Sequence, residues 1–403
     1  MLIDTPKLAR ALDIAARTIG RSSIIPILRS ASLFPRGESL EILATDLDVE
    51  ISARIPFQGI PPEDLALGDP RAFARLIRAG GTCTSIDSVT SEDGKNRHEI
   101  SCGSIRGEIS NTLSTEDTPR MIVQREGMFT ASINREILDM ILRVAGAVST
   151  EEMRYYLNGV YLHQADDWTY KAVATDGHRL FMGTIKLPDA QGIGIGKHNN
   201  AGGVIIPRKF IEILKKEQKA IDFDQPVRLF SGAPTKPNKD TDLAPRSVLQ
   251  FGIEYMNGDI PVTMTTKTID GTFPDYTRVI PTTAEDQPQI RVDRKELARA
   301  IDAITAGVKE KTRAVKLTFD PKGKLELSCK WIDLGFEGKI RIDAKTRVKQ
   351  PFEIGYNARY LRNVCDVAQG DELSITTADA GSPGAIASPD ATDFFTVLMP
   401  MRI

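Results

Sequence analysis

The sequence predicts an α+β protein of three repeated domains, each with two helices and antiparallel sheets. Three observations carry that expectation. A helix, strand, helix order runs through the chain three times, two of the copies share short motifs at nearly one spacing, and apolar residues alternate between the helices. At 403 residues the chain exceeds one ordinary domain, and two or three units of roughly 100–200 residues are expected.

The first copy opens on residues 6–20, where Leu8, Ala11, Leu12, Ala15 and Ile19 recur at helical spacing and Pro6 suits the first turn. Leu40 and Ile42, then Val49, Ile51, Ala53 and Ile55, alternate with polar residues on either side of the turn-like Thr45-Asp46-Leu47-Asp48. A second helix opens at Pro70 and stops at Gly80-Gly81, and short strands follow to about Arg125. The second copy restarts with a helix over 134–146, strands over 157–162 and 169–187, and a helix opening at Pro207. The third has a helix over 293–308, a hairpin over 315–329 turning at Asp320-Pro321-Lys322-Gly323, and a helix over 357–369.

Spacing turns this order into a repeat. Leu8 and Ile137 lie 129 positions apart, Ala44-Thr45-Asp46 and Ala174-Thr175-Asp176 lie 130 apart, and Pro70-Arg71-x-Phe73 and Pro207-Arg208-x-Phe210 lie 137 apart. The third copy has Asn357-Ala358-Arg359-Tyr360 in the last of these places and no Ala-Thr-Asp. Domains near 1–126, 127–286 and 287–403 follow. The middle one is longest because of two Gly-, Pro- and Asn-rich stretches, near 188–203 and 231–245, which read as mobile surface insertions. Within the first, Gly192 to Lys197 resembles a phosphate loop, but Gln191 and His198 break the required pattern.

Composition excludes several classes. With 41% hydrophobic and 26% charged residues, and no apolar run long enough to cross a bilayer, a soluble globular protein is expected. The first residues, Met1 to Pro6, lack the features of a secretory signal, so a cytoplasmic location is expected. Cys83, Cys102, Cys329 and Cys365 are too scattered for a zinc site or a disulfide framework, and no cofactor is expected. Charge is unevenly distributed. The six predicted helices, the first counted through Arg21, hold 19 Lys and Arg against 9 Asp and Glu, a surplus of ten on a chain whose net charge is −2. Basic helices on an otherwise acidic protein suit a polyanion held without base reading.

The polar cluster Ala174-Thr175-Asp176-Gly177-His178-Arg179-Leu180 is the candidate site. Asp176 and His178 are spaced to share a strand face, as a carboxylate orienting an imidazole would be. No GxSxG nucleophile turn and no HExxH pair accompanies them, so a hydrogen-bonded turn residue is the simpler reading of His178. The first copy keeps Thr45-Asp46 but has Leu47-Asp48-Val49 where the second has Gly177-His178-Arg179. Thr-Asp therefore belongs to the fold, and Gly-His-Arg to a task of the second domain.

Five motifs fall in one order: Arg154-Tyr155-Tyr156-Leu157-Asn158-Gly159, Ala174 to Leu180, Val204 to Lys209, Asp270-Gly271-Thr272-Phe273-Pro274-Asp275-Tyr276-Thr277-Arg278-Val279-Ile280-Pro281, and Met399-Pro400-Met401-Arg402-Ile403. In these, and over essentially its whole length, the chain resembles the bacterial DNA polymerase III beta subunits, the replicative sliding clamps. The resemblance implies a non-enzymatic processivity factor: a head-to-tail homodimeric ring of DNA-clamp domains around double-stranded DNA, placed by a clamp loader. It also implies a pocket between the second and third domains that takes a short peptide from the replicative polymerase alpha subunit and from other clamp-motif proteins of replication and repair.

Carried onto this sequence, the peptide-binding residues implied are Arg154, Leu157, Thr175, Gly177, His178, Arg179, Leu180, Pro274, Arg278 and Val279, with Val397, Leu398, Met399, Pro400, Met401 and Arg402 closing the other side and Asn357 and Tyr360 at the rim. Met suits such a surface because it repacks for different partners. DNA contacts are implied at Arg21, Arg78, Tyr155, Tyr156, Arg208 and Lys209. The family pattern is broken at Glu151-Glu152, which is acidic before Arg154, and at Glu108-Ile109-Ser110, where alternate apolar residues are expected; Ile109, Leu113 and Ile304 are the candidates for the ring interface.

Overall fold

The computed structural model describes residues 1–20, 23–61, 65–90, 96–109, 113–121, 123–124, 126–198, 202–233, 249–282, 287–307, 314–331 and 335–402. Along the first repeat run β1 (Leu2–Asp4), helix α1 (Thr5–Ala15), β2 (Ser30–Arg36), β3 (Ser39–Thr45), β4 (Val49–Pro56), β5 (Leu65–Gly68), α2 (Pro70–Gly80), β6 (Cys83–Thr90), β7 (Asn96–Cys102) and β8 (Ile105–Ile109). The second has β9 (Phe129–Ser132), α3 (Arg135–Val144), β10 (Gly159–Asp166), β11 (Thr169–Thr175), β12 (Arg179–Lys186), β13 (Val204–Pro207), α4 (Arg208–Glu217), β14 (Arg228–Gly232), β15 (Gln250–Asn257) and β16 (Ile260–Lys267). The third has β17 (Gln289–Asp293), α5 (Arg294–Thr305), β18 (Ala314–Asp320), β19 (Lys324–Trp331), β20 (Phe336–Arg347), β21 (Phe352–Asn357), α6 (Ala358–Val367), β22 (Glu372–Thr376), β23 (Gly384–Ser388) and β24 (Ala391–Leu398).

All six helices expected from the sequence are present; α2 has the expected bounds, α1 starts one residue early and ends early, and the other four are shorter by one to three residues at their ends. Their starts are chemical: Asp4, Asp69 and Asp293 accept from the backbone N–H three residues on at 2.8, 3.0 and 2.7 Å, and Asn357 accepts from Arg359 N at 2.9 Å. Such caps are worth about 1 kcal/mol each. α2 stops at Gly80, where a Cβ would lie 2.4 Å from the Cys102 carbonyl oxygen, so only glycine lets that backbone approach. The hairpin of β18 and β19 turns through Gly323 at φ 82°, as its sequence predicts. No described helix is long and apolar enough to cross a membrane.

Contacts divide the chain into two units. The first comprises Met1–Arg135, Leu187–Gly196 and Lys209–Ile269; the second comprises Glu136–Lys186, Lys197–Arg208 and Asp270–Ile403. In the first, an eight-stranded sheet has the order β5-β2-β3-β4-β16-β15-β14-β9, beside a four-stranded sheet β1-β6-β7-β8. In the second, twelve strands run β13-β10-β11-β12-β24-β23-β22-β17-β20-β19-β18-β21. Each unit therefore contains one antiparallel junction between strands of successive repeats: β4 with β16, and β12 with β24. Leu8, Leu12, Leu40, Ile42 and Ile51 are among the fully buried residues of the first unit, and Phe181, Leu317, Phe319 and Tyr356 of the second. The alternating apolar positions read from the sequence supply this core.

The stretch after β12 corrects one expectation. Residues 188–198 are tied down rather than loose. Gln191 and Thr130 exchange backbone hydrogen bonds at 2.9 and 3.0 Å, Phe129 N donates to Ile193 O at 3.0 Å, and both Asp189 carboxylate oxygens accept from Ser132 N at 3.1 Å. Gly192 and Gly194 allow this, because a Cβ on either would strike the backbone of Met128 or Ser231. The second predicted insertion falls mostly outside the described residues.

Candidate functional site

The turn Thr175 to Arg179 is built from two short side chains. Thr175 Oγ1 donates to Arg179 O at 2.8 Å and accepts from Gly177 N at 3.1 Å, while Asp176 Oδ1 accepts from His178 N and Arg179 N at 3.0 and 3.1 Å. The same four bonds recur in the first repeat. Thr45 Oγ1 donates to Val49 O and accepts from Leu47 N, and Asp46 Oδ1 accepts from Asp48 N and Val49 N, all between 2.9 and 3.1 Å. Thr-Asp is a device of the fold. Both turns place their third residue at positive φ, 78° for Leu47 and 86° for Gly177, where glycine alone is unstrained.

The Asp176 carboxylate is thus committed to the turn and, through Oδ2, to Arg179 Nε at 3.0 Å. The His178 ring instead stacks on Tyr360, with ring centres 5.9 Å apart and planes 21° apart. That geometry belongs to a surface rather than to an acid–base dyad. Arg179 is held from several sides: its guanidinium carbon is 4.6 Å from the centre of the Tyr360 ring and 5.5 Å from that of Phe181, and Nη1 donates to Asn363 Oδ1 at 2.6 Å.

β24 runs beside this turn, pairing Leu398 with Arg179 and Val397 with Leu180. Beyond it the chain continues in the same direction, with Met399 N donating to His178 O at 2.9 Å and Met401 N to Gly355 O at 2.8 Å. The exposed members of the predicted set are His178, Gly177, Arg154, Pro274, Arg278, Val279, Met399 and Arg402, with Thr175, Arg179, Tyr360, Pro400 and Met401 half-buried. Leu157, Leu180, Val397 and Leu398 lie beneath them at 4% exposure or less, as a packed floor. Asn357 is buried and caps α6, its Oδ1 accepting also from Tyr360 N at 3.3 Å. On the other side Asp275 caps the 3-10 turn Tyr276–Val279 by accepting from Thr277 N at 3.2 Å, and its Oδ2 holds Arg278 Nε at 3.0 Å. Burial of Tyr360 and the nearby Asp176 carboxylate push its hydroxyl above its ordinary value. Asn363 and Asp275 were missed by the sequence reading; Asn363 lies one turn beyond Tyr360 on the same helical face, the one signal available for it.

The first unit carries the same junction with different side chains. Its β4–β16 junction repeats the backbone plan, with Lys267 N donating to Asp48 O at 3.1 Å as Met399 N does to His178 O. The side chains differ. Lys267 stands for Met399, Val49 for Arg179, and the fully buried Phe210 for Tyr360, while Lys209 forms an ion pair with Asp46. The same fold there presents charge instead of an apolar and aromatic face.

Of the residues expected at DNA, Arg21 lies outside the described residues. Tyr155 and Tyr156 meet edge to face, with ring centres 5.8 Å apart, and Tyr155 is 53% exposed. Arg208 and Lys209 are exposed at the start of α4. The helical charge is less free than its count suggests. Lys7 and Arg10 pair with Asp259, Arg17 with Glu217, Arg78 with Asp13 and Arg362 with Asp302, while Arg294 donates to the Gly370 and Cys365 carbonyl oxygens at 2.7 and 3.0 Å.

Comparison with known proteins is consistent over the full length. Residues 133–275 match the model of the DNA polymerase III beta subunit central domain, and residues 277–402 that of its C-terminal domain. The chain is 31% identical to a beta sliding clamp of Caulobacter vibrioides, covering all of both, and 25% identical to that of Vibrio cholerae over 100% and 99%. Among solved structures, a Caulobacter crescentus beta sliding clamp superposes with a TM-score of 0.83 at 29% identity, covering 100% and 98% of the two chains. A sliding clamp from Bartonella birtlesii, bound to griselimycin, gives 0.80 at 28% identity over 100% and 99%. The repeated strand junctions, the duplicated Thr-Asp turn and these matches place the chain in the bacterial beta sliding clamp family, the beta subunits of DNA polymerase III, which are non-catalytic processivity factors.

Proposed function

We propose that two copies of this chain close head to tail into a ring that encircles duplex DNA without reading its sequence, and that partners are tethered to it through the surface around His178, Val279 and Met399. Boundaries near 126 and 286 separate the three repeats of each copy. The observation that carries the ring is the repetition of one strand junction. β4 pairs with β16 and β12 with β24, each bringing together successive repeats in an antiparallel register. The strand that follows β4 and β12 in this series is β20, since the pairs Thr45↔Glu50, Thr175↔Leu180 and Trp331↔Phe336 stand at corresponding places. The strand that corresponds to β16 and β24 is β8.

Both are open. β8 is the last strand of its sheet, and along residues 336–343 the ladder of β20 runs only to β19. Unpaired edges invite another chain, and a second copy offers the complement to each. Extending the β4–β16 register sets Gly107 of one copy opposite Lys339 of the other and Ile109 opposite Glu337. Exposed helical cations, among them Arg75, Lys215, Lys216 and Arg299, would give the weak, salt-sensitive attraction to phosphates that permits sliding. The polymerase alpha subunit, the clamp loader and other proteins of replication and repair would dock their apolar peptide anchors on the exposed Val279 and Met399, beside Arg154 and Arg278. The protein would work in the cytoplasm.

The test is topological. Loaded by a clamp loader onto closed circular DNA, the protein should stay bound and be released when the circle is cut. Equal retention on circular and linear DNA overturns the ring and favours a peptide-binding adaptor that does not encircle DNA.

A further inference from the structure

We propose that His198, supplied by the stretch after β12, is a positioning residue for the Phe273–Val279 wall of the docking surface. The inference rests on the reading of that surface given above. Two of the chain's four histidines, His163 on β10 and His198, meet in a cluster with Tyr161, Phe273 and Tyr276. Ring centres are 5.2 Å apart for the two histidines, 5.1 Å for His198 and Tyr276, and 4.7 Å for the parallel stack of Tyr161 on Phe273.

The polar ends of the cluster face one another, which packing alone does not require. His163 Nδ1 donates to Gln164 O at 2.9 Å, so Nε2 is the nitrogen that accepts from Tyr276 Oη at 2.9 Å. His198 Nδ1 lies 3.1 Å from Tyr161 Oη, and its Nε2 lies 3.6 Å from Asp275 Oδ1. The stretch is anchored on β10 at two further points. Lys197 bridges to Gln164, and the Gly203 N–H bonds to the Tyr161 hydroxyl. A Cβ on Gly203 would lie 2.3 Å from the Tyr161 ring, so glycine is needed for that approach.

The cluster ends on the residues that shape the docking wall. Asp275 is the cap of the 3-10 turn carrying Arg278 and Val279, and Tyr276 is its first residue. His198 touches both. It therefore holds in place a short turn that buries little of its own: Tyr276 is inside, while Thr277, Arg278 and Val279 face solvent. A turn of four residues with three outside has few contacts to fix its geometry, and an external brace is what such an element lacks.

The experiment uses the full chain with His198→Phe, which keeps the ring but loses both polar ends, and His198→Gln, which restores a polar end. Hydrogen exchange of the amides of residues 276–279 should quicken about tenfold in His198→Phe and return to within about twofold of the parent in His198→Gln. A fluorescein-labelled pentapeptide with Leu and Phe anchors should bind His198→Phe about fivefold more weakly by anisotropy. Unchanged exchange in His198→Phe, or a failure of His198→Gln to restore it, overturns the proposal whatever the peptide does. A chain lacking residues 399–403 separates the two readings. Peptide binding that survives this truncation refutes the docking surface, while quickened exchange in His198→Phe would still establish the brace.

Discussion

Glu41 on β3 and Glu50 on β4 are buried side by side at 3% and 5% exposure, and their surroundings drive them apart. Burial pushes Glu50 up from 4.5 to about 7, against the Met121 N–H that donates to its Oε2 at 2.8 Å and the charge of Arg120. Burial also opposes the charged form of Glu41, but Arg120, the Ser52 hydroxyl donating at 2.7 Å, Arg36 and Arg54 outweigh it and hold it below its ordinary value. The two signs give opposite pH dependences. The folded state binds the Glu50 proton more tightly than the unfolded state, so this stabilisation is full below pH 4.5 and lost as pH rises through about 7. For Glu41 the stabilisation is present above 4.5 and lost as pH falls through its folded value. Glu50→Gln keeps an acceptor for Met121 N and removes the charge. Calorimetry should show it more stable than the parent at pH 8 by on the order of 2 kcal/mol and nearly equal at pH 5. An equal effect at both pH values would contradict the assignment.

The Thr-Asp turn is the element that both junctions share, and its cost of removal should be nearly the same in each. Asp46→Ala leaves Asp48 N and Val49 N without an acceptor, and Asp176→Ala does the same to His178 N and Arg179 N. Losing such bonds costs about 1–3 kcal/mol, and urea unfolding should show about 2 kcal/mol for either variant. Peptide affinity should separate them: Asp176→Ala frees Arg179 Nε beside the proposed docking surface and weakens binding several-fold, whereas Asp46→Ala leaves it unchanged. A loss below about 0.5 kcal/mol in both would deny the turn its structural role. This element was legible in the sequence because Ala-Thr-Asp recurs at 130 positions and the surrounding strands alternate. The rest of the site was less so, for a physical reason. Arg179 meets Asn363, Lys209 meets Asp46 and Lys7 meets Asp259 across 150 or more positions, and no local period encodes such pairs. The same blindness made 188–203 read as loose: its Gly-rich composition is that of a loop, but Gly192 and Gly194 serve close backbone approach at β9, and Gly203 at the Tyr161 ring.

At the scale of the whole molecule, ring closure is the property on which the proposed function depends, and the proposed edge pairing of β8 with β20 makes it testable without DNA. The two internal junctions are covalently linked to their neighbours, so their strands meet at high effective concentration. The third must form between separate chains and has only its own contacts to hold it. Ile109 is half-buried at the end of β8, and the extended register sets it opposite Glu337 of a second copy. Ile109→Asp replaces an apolar contact with a carboxylate facing another carboxylate, two like charges directly opposite on neighbouring strands. Sedimentation of the parent at micromolar concentration should give a dimer, and the variant should dissociate at least tenfold more readily, with the larger loss at low salt where repulsion is least screened. Ile109→Val keeps the apolar contact and should remain dimeric. If Ile109→Asp is as dimeric as the parent, β8 does not meet β20 in this register, and the series of junctions ends at two.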